Sequence, residues 1–284
     1  MSSQFVLTLS CDDRVGIVAR VSSLLAGLDC NITDAQQFDD ASNNRFFMRI
    51  VLEPAGHTLD EVRTAFAPIA GEYGMAWKMR DRDAPARVLI MVSKFDHCLV
   101  DLLYRKRIGE LNMEVVAIVS NHPRAADHVP MDPAIPYHHL PVTRDTKPAQ
   151  EAQLRQLIEE TGAELVVLAR YMQVLSDEMA AWLSGRCINI HHSFLPGFKG
   201  AKPYHQAYDR GVKMIGATSH YVTGDLDEGP IIAQDVMAIT HRERAEDLVA
   251  KGRDVERRVL ARAVKAHIED RVWMNGSRTV VFDG

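Results

Sequence analysis

Several features that define other classes of protein are scarce in this sequence of 284 residues. The four cysteines, Cys11, Cys30, Cys98 and Cys187, have no CxxC spacing, which disfavours both a zinc cage and a disulfide framework. No run approaches the roughly 20 apolar residues that span a bilayer, and the first residues lack the pattern of a secretory signal. We therefore expect a cytoplasmic protein that does not bind membranes.

Positive charge is also in short supply. The chain has 33 Lys and Arg residues against 38 Asp and Glu residues, a formal net charge of −5. A chain of this sign has no overall field that attracts nucleic acid, so we expect a small-molecule partner. The hydrophobic share of 46% and the charged share of 25% are ordinary for a folded protein, and the length favours two domains.

The first 84 residues have the patterns of a small α/β domain. Phe5, Leu7 and Leu9 alternate as in a strand with one buried face, and helical spacing follows from Gly16. Continuing the pattern gives the order β-α-β-β-α-β, which is the ferredoxin-like arrangement. A charged run that ends at Pro85 is typical of a linker, so we predict domains at 1–84 and 85–284.

The second predicted domain alternates apolar strands with helices. This alternation predicts a Rossmann-like α/β fold with a mostly parallel sheet. The predicted strands cover residues 88–92, 115–120, 165–168 and 187–191. No GxGxxG motif follows the first of these strands, which disfavours a dinucleotide cofactor.

Asn189 and His191 are the strongest chemical signal. Residues two apart on a strand share a face, and ligands bind at the carboxyl ends of such strands. Asn189 could donate a hydrogen bond to an oxyanion, and His191 could move a proton. Asp227, in an acidic loop with two glycines, could orient and stabilise the imidazole.

Each of these residues also has a structural interpretation. A buried asparagine often satisfies backbone groups, a histidine at a strand end commonly donates a structural hydrogen bond, and Asp before Gly-Pro suits a turn. Metal binding by His191 and His192 is disfavoured because adjacent strand residues point apart. We expect no metal.

Residues 189–196 and 220–232 resemble the 10-formyltetrahydrofolate-dependent formyltransferase family, and the resemblance covers roughly residues 86–282. It implies a catalytic trio of Asn189, His191 and Asp227, with His220 in support. It also implies that 10-formyltetrahydrofolate is a substrate and that no cofactor is permanently bound. The residues implied to contact the folate are Tyr171, Met172, Gln173, Val174, Thr223, Gly224 and Asp225.

Residues 13–18 together with Asn31 resemble the ACT domain. The resemblance implies control by an amino acid, with methionine or glycine as candidates, and pairing into a homo-oligomer. Asp13, Gly16 and Asn31 are the candidate effector residues, since Gly16 allows close backbone approach and the helix N-terminus offers free N–H groups to a carboxylate. In the structural interpretation, Asp13 caps the helix, Gly16 permits a turn and Asn31 satisfies backbone groups.

The loop after residue 92 bears on the acceptor of the formyl group. Family members that formylate a phosphorylated amine hold its phosphate with a glycine-rich loop, but here Phe95 and Asp96 occupy that place. Water is then the simplest acceptor, giving formate for purine synthesis and balancing the one-carbon pools. Two alternatives remain: transfer to an amine, and a non-catalytic sensor of folate or amino acids.

Overall fold

The structure is a computed structural model that describes residues 3–123, 132–197 and 203–284. It separates into two compact units. The first contains Met1–Ala84, Glu269–Trp273 and Val280–Gly284, and the second contains Pro85–Ile268 and Met274–Thr279. Two segments of the predicted range 85–284 therefore lie in the first unit.

The first unit is a four-stranded antiparallel sheet with two helices. Its elements are β1 Phe5–Asp12, α1 Ile17–Gly27, β2 Asn31–Asp40, β3 Arg45–Glu53, α2 Leu59–Tyr73 and β4 Ala76–Asp81. The strands lie in the order β2-β3-β1-β4. The predicted ferredoxin-like order, β-α-β-β-α-β, is confirmed. Alternating residues such as Leu7 and Ile50 are buried in one core with Phe66 of α2.

The C-terminal segments pack on β3 within this unit. Trp273 lies with its ring centroid 6.5 Å from that of Phe47 and 4.8 Å from that of Phe282. The Nε atom of Arg49 donates to the Glu269 carbonyl at 3.1 Å. The predicted range differs because the sequence gives no sign of this packing. Short segments after a long helix carry no periodicity that shows which strand they will pack on.

The second unit is built on a seven-stranded, mostly parallel sheet, as predicted. Its strands lie in the order β11-β10-β9-β8-β5-β6-β7, and β10 is antiparallel to both neighbours. The elements are β5 Ala86–Val92, α3 His97–Arg107, β6 Met113–Ser120, β7 Tyr137–His139, α4 Lys147–Thr161, β8 Leu165–Leu168, α5 Asp177–Trp182, β9 Cys187–His191, α6 Pro203–Arg210, β10 Met214–Tyr221, β11 Ile231–Ala238 and α7 Ala245–Ile268. A hairpin of β12 Val272–Asn275 and β13 Arg278–Val281 follows.

The parallel strands bring two carboxyl ends side by side. Leu168 of β8 is in register with Asn189 of β9, so the residues that follow β8 lie beside the end of β9. β8 is entirely apolar and buried, as expected where helices cover both faces of a sheet, and β9 is almost fully buried although it carries Asn189 and His191. Within the described residues, no helix has the length and apolar character needed to cross a membrane.

Candidate active site

Strand pairing brings three polar side chains to one face of the sheet. Asn189 and His191 lie two residues apart on β9, and His220 on β10 is directly opposite Asn189. Because alternate strand residues share a face, the three side chains point the same way. The face shared by Asn189 and His191 therefore agrees with the sequence analysis.

Asp227 reaches this face from the loop that joins β10 to β11. The loop folds back on itself, with the Tyr221 N–H donating to the Pro230 carbonyl at 2.9 Å. Gly229 permits this close approach, since a Cβ there would lie 1.7 Å from the Tyr221 oxygen. The backbone of Asp227 is in the left-handed region, with φ of 58°. This conformation is uncommon and is found mostly where the surrounding structure enforces it.

The four side chains form a connected polar cluster. Asp227 Oδ1 lies 3.1 Å from His191 Nδ1 and 3.9 Å from His220 Nε2. The Asn189 Nδ2 atom is 3.3 Å from His220 Nε2, and His220 Nδ1 is 2.8 Å from the Tyr221 carbonyl. These partners assign the ring protons: His220 carries its proton on Nδ1, and His191 donates from Nδ1 to the carboxylate.

One atom of this cluster is left without a partner. The His191 Nε2 atom is buried and makes no hydrogen bond. With Nδ1 donating to Asp227, Nε2 of the neutral ring holds a free lone pair. This nitrogen can therefore take a proton from a substrate or a water molecule.

The electrostatics keep the carboxylate charged. Burial raises the pKa of Asp227, but the hydrogen bond from His191, together with weaker charge interactions, lowers it by more, so the net pKa is depressed. Burial lowers the pKa of His220, which keeps that ring neutral. Burial and the charge of Arg170 lower the pKa of His192 to about 3.

A cavity of about 410 Å³ opens on this cluster, which is within the size range of small-molecule sites. Met172, Val174 and Leu226 contribute exposed apolar side chains to its lining, while Tyr171 is buried and accepts from Gln150 at 3.2 Å. The cavity is lined by Asn189, His191, His220 and Asp227 and by all the predicted folate contacts, Tyr171, Met172, Gln173, Val174, Thr223, Gly224 and Asp225. Their contact with folate stays a prediction.

A second buried cluster centres on Glu256 of α7. His97 Nε2 lies 2.8 Å from Glu256 Oε2, the Tyr204 hydroxyl donates to Oε1 at 2.7 Å, and Arg170 Nε is 3.4 Å from Oε2. Gly252, one turn earlier, makes room for the Tyr204 ring, since a Cβ there would lie 2.1 Å from it. Sequence analysis missed this cluster; the one signal was a carboxylate beside the apolar stripe of a helix.

The Glu256 cluster also contains the one group in the described part of the chain that could hold a metal. The ligand atoms of His97, Cys98 and Glu256 lie within 4.8 Å of one another. Burial raises the pKa of the Cys98 thiol well above its usual value, which disfavours the thiolate that metals bind. Glu256 already accepts from two donors and faces Arg170, so the group is better suited to an internal ion pair.

The candidate effector residues do not converge within one copy of the chain. Asp13 donates its N–H to Asn44, just before β3, while Asn31 pairs with Glu53 at the far end of that strand. Gly16 precedes α1 with φ of 98°, which suits glycine. Two further polar residues follow β9 in the sequence. His205 is exposed on α6, and Lys202 lies outside the described residues.

Comparison with known proteins agrees with this architecture. The formyl transferase family profile matches residues 86–264, and the ACT domain profile matches residues 5–66. These matches define a formyl transferase domain preceded by an ACT domain.

Full-length relatives narrow the family. A formyltetrahydrofolate deformylase from Corynebacterium sp. (strain P-1) is 52% identical, covering 98% of this chain and 97% of the relative. The crystal structure of the Burkholderia mallei formyltetrahydrofolate deformylase has a TM-score of 0.93 at 56% identity, covering 99% and 100% of the two chains. The glycinamide ribonucleotide transformylase 1 structure from Symbiobacterium toebii covers only 72% of this chain and 97% of its own, with a TM-score of 0.64 at 28% identity. The chain belongs to the formyltetrahydrofolate deformylase family.

Proposed function

We propose that this protein hydrolyses 10-formyltetrahydrofolate to formate and tetrahydrofolate. The observation that carries the proposal is the His191–Asp227 pair, which leaves His191 Nε2 without a partner and lines, together with Asn189, a cavity of about 410 Å³. A general base, a charged partner and an amide donor are the groups that formamide hydrolysis needs. The names of the full-length relatives support the same substrate.

In the proposed mechanism, His191 Nε2 takes a proton as water adds to the formyl carbon. Asp227 stabilises the resulting imidazolium through Nδ1. The Asn189 amide has two N–H groups, so one can remain on His220 while the other donates to the developing oxyanion. The tetrahedral intermediate then breaks its C–N10 bond, and His191 returns the proton to N10. The formic acid that remains loses the second proton of the water to solvent and becomes formate.

Formate release tests the proposal directly. The purified chain is incubated with 10-formyltetrahydrofolate and no amine, and formate and tetrahydrofolate are quantified; we expect equal amounts of both. Release only when an amine is added would instead support a transferase. Folate binding without turnover would support a sensor. A Glu228→Gln variant is the matched control for changes at Asp227, because Glu228 is an exposed carboxylate in the same loop and is not among the residues that line the cavity.

For the first unit, the proposal is control by methionine or glycine, in a cytoplasmic homo-oligomer that supplies formate to purine synthesis and balances the one-carbon pools. No permanently bound cofactor is proposed. β3 spans nine residues, or roughly 27 Å between the end near Asp13 and the end near Asn31. A site that used both ends would need residues from two copies, which supports the oligomer.

Point variants test this regulation better than truncation, because residues 269–273 and 280–284 pack with the first unit. We expect methionine or glycine to change formate release or the melting temperature of the wild type. Asn31→Ala should remove the response, and Asp39→Ala, an exposed position on the same strand, should keep it. Light scattering gives the oligomeric state. An unresponsive wild type would reduce the unit to a scaffold.

A further inference from the structure

Arg170 is a buried cation in the wall of the catalytic cavity. It follows β8 by two residues, is 9% exposed, and lines the same cavity as His191 and His192. Its Nε and Nη1 atoms are buried and make no hydrogen bond. A buried guanidinium with unused donors is costly to keep in a fold, so its presence requires a reason beyond packing.

The backbone conformation of Arg170 also indicates a role beyond packing. Its φ is 65°, in the left-handed region that residues other than glycine and asparagine seldom adopt. Such conformations persist where the surrounding structure enforces them, and they cluster at ligand sites. Here the β8 end directs the side chain toward Glu256 rather than toward solvent.

Glu256 holds this cation in place. It lies 3.4 Å from Arg170 Nε and is itself fixed by His97 and Tyr204 at 2.8 and 2.7 Å. The guanidinium therefore cannot move far, and its charge is only partly neutralised because Glu256 serves three partners at once. A cation whose charge is partly balanced in this way favours an anionic ligand and binds it with modest affinity.

The charges of the other lining residues limit where an anion could sit. Asp225 and Asp227 make the β10–β11 side of the cavity negative. Among the described lining residues, Arg170 is the single lysine or arginine. An anion formed in this cavity is therefore repelled on one side and attracted on the other.

We propose that Arg170 is the binding site for the formate product, a one-carbon carboxylate, on the His192 side of the cavity. The inference rests on the proposed hydrolysis, in which a neutral formamide becomes an anion. A guanidinium recognises a carboxylate through paired N–H donors. The counter-charge of Glu256 keeps this affinity low, so that formate leaves after each turnover.

Two substitutions at Arg170 separate charge from backbone effects. Arg170→Asn removes the charge with a residue that tolerates a left-handed φ, and Arg170→Lys is the matched variant that keeps the charge. The probe is sodium formate, with sodium chloride at equal ionic strength as the control. We expect formate to raise the melting temperature of the wild type and of Arg170→Lys, and this shift to be lost in Arg170→Asn. Inhibition of turnover by formate should weaken about tenfold in Arg170→Asn.

Glu256→Gln supplies a test in the opposite direction. It removes the counter-charge while keeping a side chain that can accept hydrogen bonds, so formate should bind about tenfold more tightly than to the wild type. This variant decides the matter if Arg170→Asn does not fold.

Equal formate shifts in the wild type and Arg170→Asn, no shift in the wild type, or unchanged affinity in Glu256→Gln would each overturn the proposal. The melting measurements need no turnover. A wild type that releases no formate would therefore refute the proposed hydrolysis, while the formate shifts would still decide the role of Arg170.

Discussion

The second unit contains two buried carboxylate–histidine pairs of nearly equal geometry. Asp227 and His191 are 3.1 Å apart, and Glu256 and His97 are 2.8 Å apart. The Asp227 side chain is 9% exposed and that of Glu256 is 1% exposed. Distance and burial therefore do not explain why one pair faces a cavity and the other holds helices together.

The difference lies in what each pair leaves unused. Both oxygens of Glu256 have partners, and its carboxylate is carried by a long helix whose backbone is fully regular at that point. Asp227 lies in a loop, and its own backbone is in the left-handed region. Its partner His191 keeps an Nε2 atom that makes no hydrogen bond. Hydrogen-bonding capacity left over beside a cavity is what a reaction can use, and this is the basis of the proposed role of the Asp227–His191 pair, whereas a fully used pair only stabilises the fold.

Asp227→Asn is expected to give the largest effect. Loss of the charge behind His191 should lower kcat for formate release by about 10³- to 10⁴-fold, since the imidazolium loses its partner. The melting temperature should change little, and Glu228→Gln, at an exposed position outside the cavity lining, should keep most of the activity. Turnover within tenfold of the wild type would remove the proposed role of this carboxylate.

Glu256→Ala should act on stability. Removing one partner of a buried ion pair leaves Arg170 uncompensated, at a cost of about 3–5 kcal/mol in the free energy of unfolding. Urea denaturation measures this cost. The comparison fails if Asp227→Ala proves equally destabilising, because the two carboxylates would then have the same structural importance.

Asn189→Ala removes the amide donor that shares the cavity with the Asp227–His191 pair and leaves the Glu256–His97 pair unchanged. We expect kcat for formate release to fall by about 10²- to 10³-fold, with a smaller change in KM, because the oxyanion exists only during reaction. Steady-state kinetics separates the two constants. A loss confined to KM would instead assign Asn189 to substrate binding.

A gradual effect, small at each step of pH, is expected at His192, whose pKa responds to the charges of both pairs. Its pKa is about 3 in the fold against an ordinary 6.5. Between these pH values the unfolded chain binds a proton at His192 that the folded chain does not. The free energy of unfolding therefore has its full value above about pH 6.5 and decreases as the pH is lowered. The loss is at most about 1.4 kcal/mol per pH unit. Urea midpoints measured across this pH range should fall less steeply for His192→Asn, and parallel slopes would contradict the expected uptake.

The proposed role of the Asp227–His191 pair was open to sequence analysis because the signals around His191 are local. Asn189 and His191 follow strand alternation over five residues, and the predicted strand coincides with Cys187–His191. The loop from residue 223 carries the acidic and glycine residues that return it to the site. For Asp227 the residues left both a catalytic and a structural interpretation open, and the resemblance favoured the catalytic one.

The structural pair was not accessible because its signals are distant. His97 and Glu256 are 159 residues apart, and neither residue type predicts the other. The left-handed conformation of Arg170 also leaves no mark in the sequence, since arginine is not a turn residue. The fold class depends on periodic patterns and was predicted, whereas such pairings depend on the final packing.

The C-terminal packing on β3 has a consequence for synthesis of the chain. The first unit begins at the N-terminus, yet Phe47 and Arg49 meet Trp273, Phe282 and Glu269 within it. Since proteins are made from the N-terminus, the ribosome must translate residues 85–268 of the second unit before any of these partners exist. The unit translated first is therefore the one whose packing is completed last.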